Sequence, residues 1–216
     1  DKKTNILIAS GDVKMEDTVE DYTIFADQVT YLKNDEKVIT KGKTKSLVDS
    51  KYEIRSKNIL YQLNEHIISS KEKTTVKDNN LNVYHLDEFK YLVNNEELRG
   101  NNIVAISNFG LPKSDKIYFS NGIFNFESKK FISKNTKILF HKSLFDDERI
   151  IADNLTEKQI KKAEKFKGKN NPRILGVTSS GDENKTILKK AIFTSCKTND
   201  NCPPWSLKAE QITHDK

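Results

Sequence analysis

An all-β fold is predicted by three features of this 216-residue sequence: short runs with apolar residues two apart, turn-forming groups between them, and recurrence of the pattern every thirty residues. The pattern is aromatic, x, Ile, x, Ala, x, x, Val, x, Tyr, and it first appears as Tyr22, Ile24, Ala26, Val29 and Tyr31. It returns as Tyr52, Ile54, Ser56, Ile59 and Tyr61, then as Asn82, Tyr84, Leu86, Phe89 and Tyr91. Val38, Ile68 and Leu98 keep the same separation, so the register extends beyond the pattern itself.

Taken in order, "NILIA" (5–9) and "DVKME" (12–16) read as the first strands. Within each repeat copy the two-residue spacing is the strand period, and the three-residue step in the middle shifts the phase once. Two short strands joined at a kink, or one strand bent by a bulge, keep both apolar sets on one side. The small Ala26, Ser56 and Ala209 beside that step ease a bend, and "KNDEK", "QLNEH" and "VNNEE" provide reversals between strands. A fourth copy, five residues further on, is Ile117, Phe119, Asn121, Phe124 and Phe126; a partial one is Ile150, Ala152 and Leu155. The strand ladder thus runs from Ile6 to about Ile151. A basic excursion at 154–172 follows, with Ile160, Ala163 and Phe166 at helical steps and Gly168 near its end. Strand, turn and strand resume at Arg173, and the last copy is Trp205, Leu207, Ala209, Ile212 and His214.

Composition agrees with a thin, extended body. Hydrophobic residues make up 35% and charged residues 31%, with a mean hydropathy of -0.70, which is lean for a thick core, while 11 Phe and 7 Tyr argue against disorder. The 37 basic and 31 acidic residues are interleaved, so the net charge of +6 reads first as a solvated surface. No apolar run approaches the roughly 18 residues of a membrane span. Cys196 and Cys202 are the two cysteines, open to a short-loop disulfide, to free thiols or to partners elsewhere; His66, His85, His141 and His214 lack metal-site spacing. No metal or cofactor is expected.

An enzyme is not expected either. The sequence holds no phosphate-binding glycine loop, nucleophile elbow, paired-histidine zinc motif or dinucleotide fingerprint. Asp146-Asp147 and Glu96-Glu97 are adjacent pairs in turn-like surroundings, without a geometry for acid-base work. No nucleic-acid recognition module appears.

"GDVKMED", "YTIFADQVTYL" and "VITKG" resemble the periplasmic OstA-type domains of the lipopolysaccharide transport bridge, shared by LptA, LptC and the N-terminal part of LptD. The stretch "ILGVTSSGDENKTILKKAIFTSCKTNDNCPPWSLKAEQITHD" looks like the passage before the outer-membrane barrel in the LptD family. That resemblance implies an open β-jellyroll, a folded-over V of stacked antiparallel strands, filling 1–216 as one periplasmic domain of an outer-membrane protein whose barrel lies beyond this chain. It implies a lipid groove along Ile24, Val29, Ile54, Ile59, Tyr84, Phe89, Phe119 and Phe124. Lipopolysaccharide would arrive from LptA at an edge holding Ile6, Ile8 and Val13. It would leave past Trp205, Leu207, Ala209 and Ile212 toward a barrel plugged by LptE. In that family the N-terminal cysteines bond to cysteines near the end of the barrel; Cys196 matches the motif and Cys202 has no assigned counterpart. Two alternatives stay open: a free LptA-like bridge protein, and a β-sandwich scaffold that binds protein or polysaccharide by its surface.

Overall fold

The computed structural model describes residues 5–17, 21–48, 50–107, 109–110, 114–140, 171–195 and 205–215. Among them, fifteen strands form one hydrogen-bonded sheet system: β1 (Ile6–Asp17), β2 (Tyr22–Leu32), β3 (Lys37–Val48), β4 (Tyr52–Lys57), β5 (Leu60–Gln62), β6 (Ile67–Ser70), β7 (Thr74–Asp78), β8 (Val83–Leu86), β9 (Glu88–Leu92), β10 (Glu97–Ile106), β11 (Lys116–Asn125), β12 (Lys130–Leu139), β13 (Arg173–Gly181), β14 (Lys185–Thr194) and β15 (Leu207–Asp215). Every strand pairing is antiparallel.

The three-residue step of the repeat takes two forms. In the first copy it is a register shift between Ala26 and Gln28 within unbroken β2. In the second and third copies it splits the run, giving β4 then β5 and β8 then β9. The intervening hairpin is likewise split into β6 and β7, so three successive chain passes are each made of two short strands. Thr and Ser side chains occupy the resulting corner. Thr40 Oγ1 accepts from the Ile59 amide at 2.8 Å, and Thr44 donates to Thr40 at 2.8 Å. Thr74 donates to Ser56 at 2.8 Å, and Ser70 donates to the Lys57 carbonyl at 3.0 Å. These hydroxyls satisfy backbone groups that the kink takes out of the ladder, where an unpaired buried group costs about 1–3 kcal/mol.

The turns repeat too. Glu36, His66 and Glu96, thirty residues apart, are all in the left-handed region, with φ of 47°, 52° and 46°. Their carbonyls accept from the amides of Leu63, Val93 and Phe126, at 2.8, 2.9 and 2.8 Å. A single turn of 3₁₀ helix precedes Glu36 and Glu96.

The open V is not what these strands build. The pairings run β3-β4-β7-β8-β10 along one wall and β3-β5-β6-β9-β10 along the other, so eight strands close into a barrel. Closure follows from length. β3 has 12 residues and β10 has 10, enough for each to pair with both short strands of a split pass. β3 pairs with β5 through Lys37–Ile39 and with β4 through Lys43–Val48, while β10 pairs with β9 and β8 in the same manner. The expected OstA-like jellyroll architecture is therefore corrected, and with it the resemblance to the LptD family that implied it. Off the closed path, β2 pairs with β3 and β1 with β2, and β11 to β15 extend from β10.

Two cores result. The larger joins the barrel interior (Val38, Ile54, Tyr61, Phe89 and Leu98) to side chains of the adjoining strands, such as Ile24 of β2 and Phe119 of β11. Tyr22 meets Tyr61 edge-on with ring centroids 4.8 Å apart. The smaller, formed by Ile138, Phe140, Ile174, Leu188 and Ala191, lies in the extension. Within or against the larger core, Phe119, Phe124 and Phe131 cluster with ring centroids 5.6 to 5.8 Å apart, Phe124 stacked on Phe131.

Candidate functional site

The eight residues expected to line a lipid groove all belong to the larger core or pack against it. Ile24, Val29, Ile54, Ile59, Phe89 and Phe119 are buried, Ile59 being only 1% exposed; Tyr84 and Phe124 are half-buried. Ile54, Ile59, Tyr84 and Phe89 come from the barrel segments, and Ile24 and Val29 of β2 and Phe119 and Phe124 of β11 pack onto the same core, so the set forms one packed interior of a closed sheet and not one wall of an open groove. An interior already packed with side chains offers acyl chains no surface to exchange onto. The reading of a groove that receives lipopolysaccharide is corrected on that ground.

Where the barrel meets the extension, a cleft of about 340 Å³ remains between Tyr52, Tyr84, Ile117, Phe124, Phe126 and Phe131. Tyr52 and Phe126 stack across it at 4.6 Å. Burial first, then the negative charge of Asp78, raises the Tyr84 hydroxyl well above the usual phenol range, so this group stays a neutral donor. Asp78 is in turn occupied by the Asn80 and Asn82 amides, at 2.8 and 2.9 Å. The arrangement braces a turn.

The sheet has two terminal strands, and their chemistry differs. β1 pairs only with β2, and β15 only with β14, among the described residues. Along β1 the segment Ile6–Ser10 carries no charge, and Leu7 and Ile8 are 65% and 59% exposed. Of the residues expected to dock a partner, Ile8 alone is exposed; Ile6 and Val13 are half-buried, and Val13 packs against the barrel core. Leu7 was not singled out from the sequence, although its position in an uncharged run beside Ile8 is a readable signal. On β15, Lys208, Glu210 and Asp215 place charge along the edge. Trp205 and Leu207 are exposed, whereas Ala209 and Ile212 are half-buried, Ile212 against the smaller core. The Trp205 carbonyl accepts from Thr194 Oγ1 at 2.8 Å, and its ring meets Phe193 edge-on at 5.7 Å.

Cys196, Cys202 and the basic segment up to residue 170 lie outside the described residues. Among the described residues no group of three or more His, Cys, Asp or Glu side chains is placed to hold a metal ion, and no helix is long and apolar enough to cross a membrane.

Fold and surface together define a closed all-β barrel with a sheet extension and an apolar stretch at the start of β1. No family model matches the chain. No curated protein matches it either.

Proposed function

We propose that this chain is a non-catalytic β scaffold that binds a partner protein by its surface, through strand addition at β1. The observation that carries the reading is the edge itself: among the described residues β1 pairs with β2 alone, and the strand begins with an uncharged run whose Leu7 and Ile8 side chains face solvent. Long, flat, apolar edges are templates for another strand, and proteins that do not use them guard them with charge, proline or cover. β15 is guarded in that way by Lys208, Glu210 and Asp215. The unguarded start of β1 distinguishes the two. An added strand gains its affinity from main-chain hydrogen bonds and its specificity from contacts to alternate side chains, here Leu7 on one face and Ile8 on the other.

Photocrosslinkers at Leu7 and Ile8 are expected to capture one discrete partner, while one at Lys208 does not. Leu7→Lys, which adds an edge charge without removing a buried group, abolishes the crosslink from Ile8. Ile8→Pro does the same by removing a backbone donor. Unchanged thermal unfolding of Leu7→Lys serves as the folding control. Full crosslinking by that folded variant, or equal capture from β15, sinks the proposal.

A further inference from the structure

A second surface feature stands apart from the β1 edge-pairing reading. On the outer face of β3 and β4, Lys43 lies directly opposite Lys57, and Lys45 directly opposite Arg55. Like charges paired across strands destabilise a sheet, and here two such pairs lie side by side. Lys73, just before the β7 strand that pairs with β4, adds a fifth cation to the same cleft. Glu53 serves Arg55 at 2.6 Å and Lys45 at 3.1 Å, which accounts for two of the five. Lys43, Lys57 and Lys73 are exposed, and none forms an ion pair with a described residue. Three ammonium groups without an ion pair among the described residues thus line a cleft of about 480 Å³, within the size range of small-ligand sites.

The rest of the lining narrows the ligand. Phe25 presents its ring at the cleft, 37% exposed, with Lys45 Nζ 6.0 Å from the ring centroid. Asp12 and Asp27 also face it, so the cleft offers acceptors as well as cations. Asp27 is held in place: its Oδ2 accepts from the Lys43 amide at 2.9 Å. Gly42, at φ +84°, leaves the space that a Cβ would take from that carboxylate. A ligand that suits this set carries an anionic group for the lysines, hydroxyl donors for the carboxylates, and an apolar ring face for Phe25. A DNA phosphodiester backbone meets the lysines but has few hydroxyls to offer the carboxylates.

We propose that this cleft binds an acidic saccharide, with its anionic group on Lys43, Lys57 and Lys73 and a sugar ring against Phe25. The two opposed cation pairs are then a cost to the free sheet that the bound anion relieves. Sequence signals for the site are the alternation "KGKTK" (41–45) and "IRSK" (54–57); only the register between β3 and β4 brings them together.

The test is calorimetric titration of the full chain with tetragalacturonic acid at two salt concentrations, beside its methyl ester and a single-stranded oligonucleotide of equal charge. The acid is expected to bind, more weakly at high salt, and the ester to bind at least about tenfold more weakly. Lys43→Gln combined with Lys57→Gln lowers affinity about tenfold or more and, with the repulsion removed, raises the unfolding midpoint of the free chain. Phe25→Ala lowers affinity about threefold to tenfold without changing the salt dependence. Lys189→Gln, on β14, changes neither. No binding by the acid, equal binding by its ester, tighter binding by the oligonucleotide through the same lysines, or indifference to the lysine variants each overturns the proposal.

Discussion

The barrel and its extension are built from the same alternating strands, yet they hold together differently. In the barrel, two walls face each other and their inward side chains meet in one large core, which also takes in Tyr22 of β2 and Phe131 of β12. In the extension, β12 to β15 present a small apolar cluster centred on Leu188, supplemented by hydroxyls: Ser133, Thr136 and Ser179 bond to one another at 2.6 to 3.0 Å in a buried triad. Its last strand, β15, has no buried residue. A sheet folded against itself buries both inner faces, whereas a sheet that continues past the fold has to draw on hydrogen bonds and on the little apolar contact it can reach. The difference lies in what each inner face meets, not in strand propensity.

Core truncation sharpens this contrast most. Tyr61→Ala, in the barrel, is expected to cost about 3–5 kcal/mol, and Leu188→Ala, in the extension, nearer 2 kcal/mol, because a small cluster collapses more readily around the lost side chain. Denaturant unfolding measures both. Native-state hydrogen exchange adds the spatial half: β14 and β15 amides exchange faster than those of β3 and β10. Equal protection in the two regions breaks the comparison.

A glycine tests whether the extension fails on its own. At Gly181 an added Cβ runs into the carbonyl oxygen of Lys185 in the β13–β14 turn, where Asp182 Oδ1 accepts from the amides of Asn184 and Lys185 at 2.8 and 3.0 Å. Backbone cannot swing aside as a side chain can. Gly181→Ala is expected to destabilise by about 1–3 kcal/mol. The increased exchange should appear in β13 to β15 and leave β3 and β10 unchanged. Uniform loss of protection would mean that the two regions are one cooperative unit.

The smallest effect concerns the barrel's surface. The Arg55 hydrogen bond, with help from Lys45 and against partial burial, holds the Glu53 carboxyl below its ordinary value of 4.5. A depressed folded value means the stabilisation is present above the unfolded carboxylate range and is lost as pH falls through the folded value. For a pair this exposed the contribution is under about 1 kcal/mol. Glu53→Gln should flatten the acid side of the stability curve by that amount and leave neutral-to-alkaline stability parallel to wild type. An unchanged acid limb removes the ion pair from the account.

Much of the local structure is legible in the residues. Tyr22, Ile24, Ala26 and Val29 alternate with polar neighbours and are all buried, and "KNDEK" and "VNNEE" are turns with a left-handed Glu at matching places. Period-two alternation states which face a side chain takes, and turn residues state where the chain reverses. Both are properties of a few consecutive residues, so the thirty-residue repeat and the position of its kink follow from the sequence by itself. Which strands lie side by side is not such a property. The same alternating runs suit an open V and a closed ring equally well. The choice fell to β3 and β10, long enough to pair with both halves of a split strand and so to join the two walls. Closure turned an expected groove into a filled interior. The same register set Lys43 against Lys57 and Lys45 against Arg55, residues that the sequence shows as scattered surface charge. Side-chain direction is local and was determined by the sequence; strand neighbourhood is non-local and was decided only when the sheet closed.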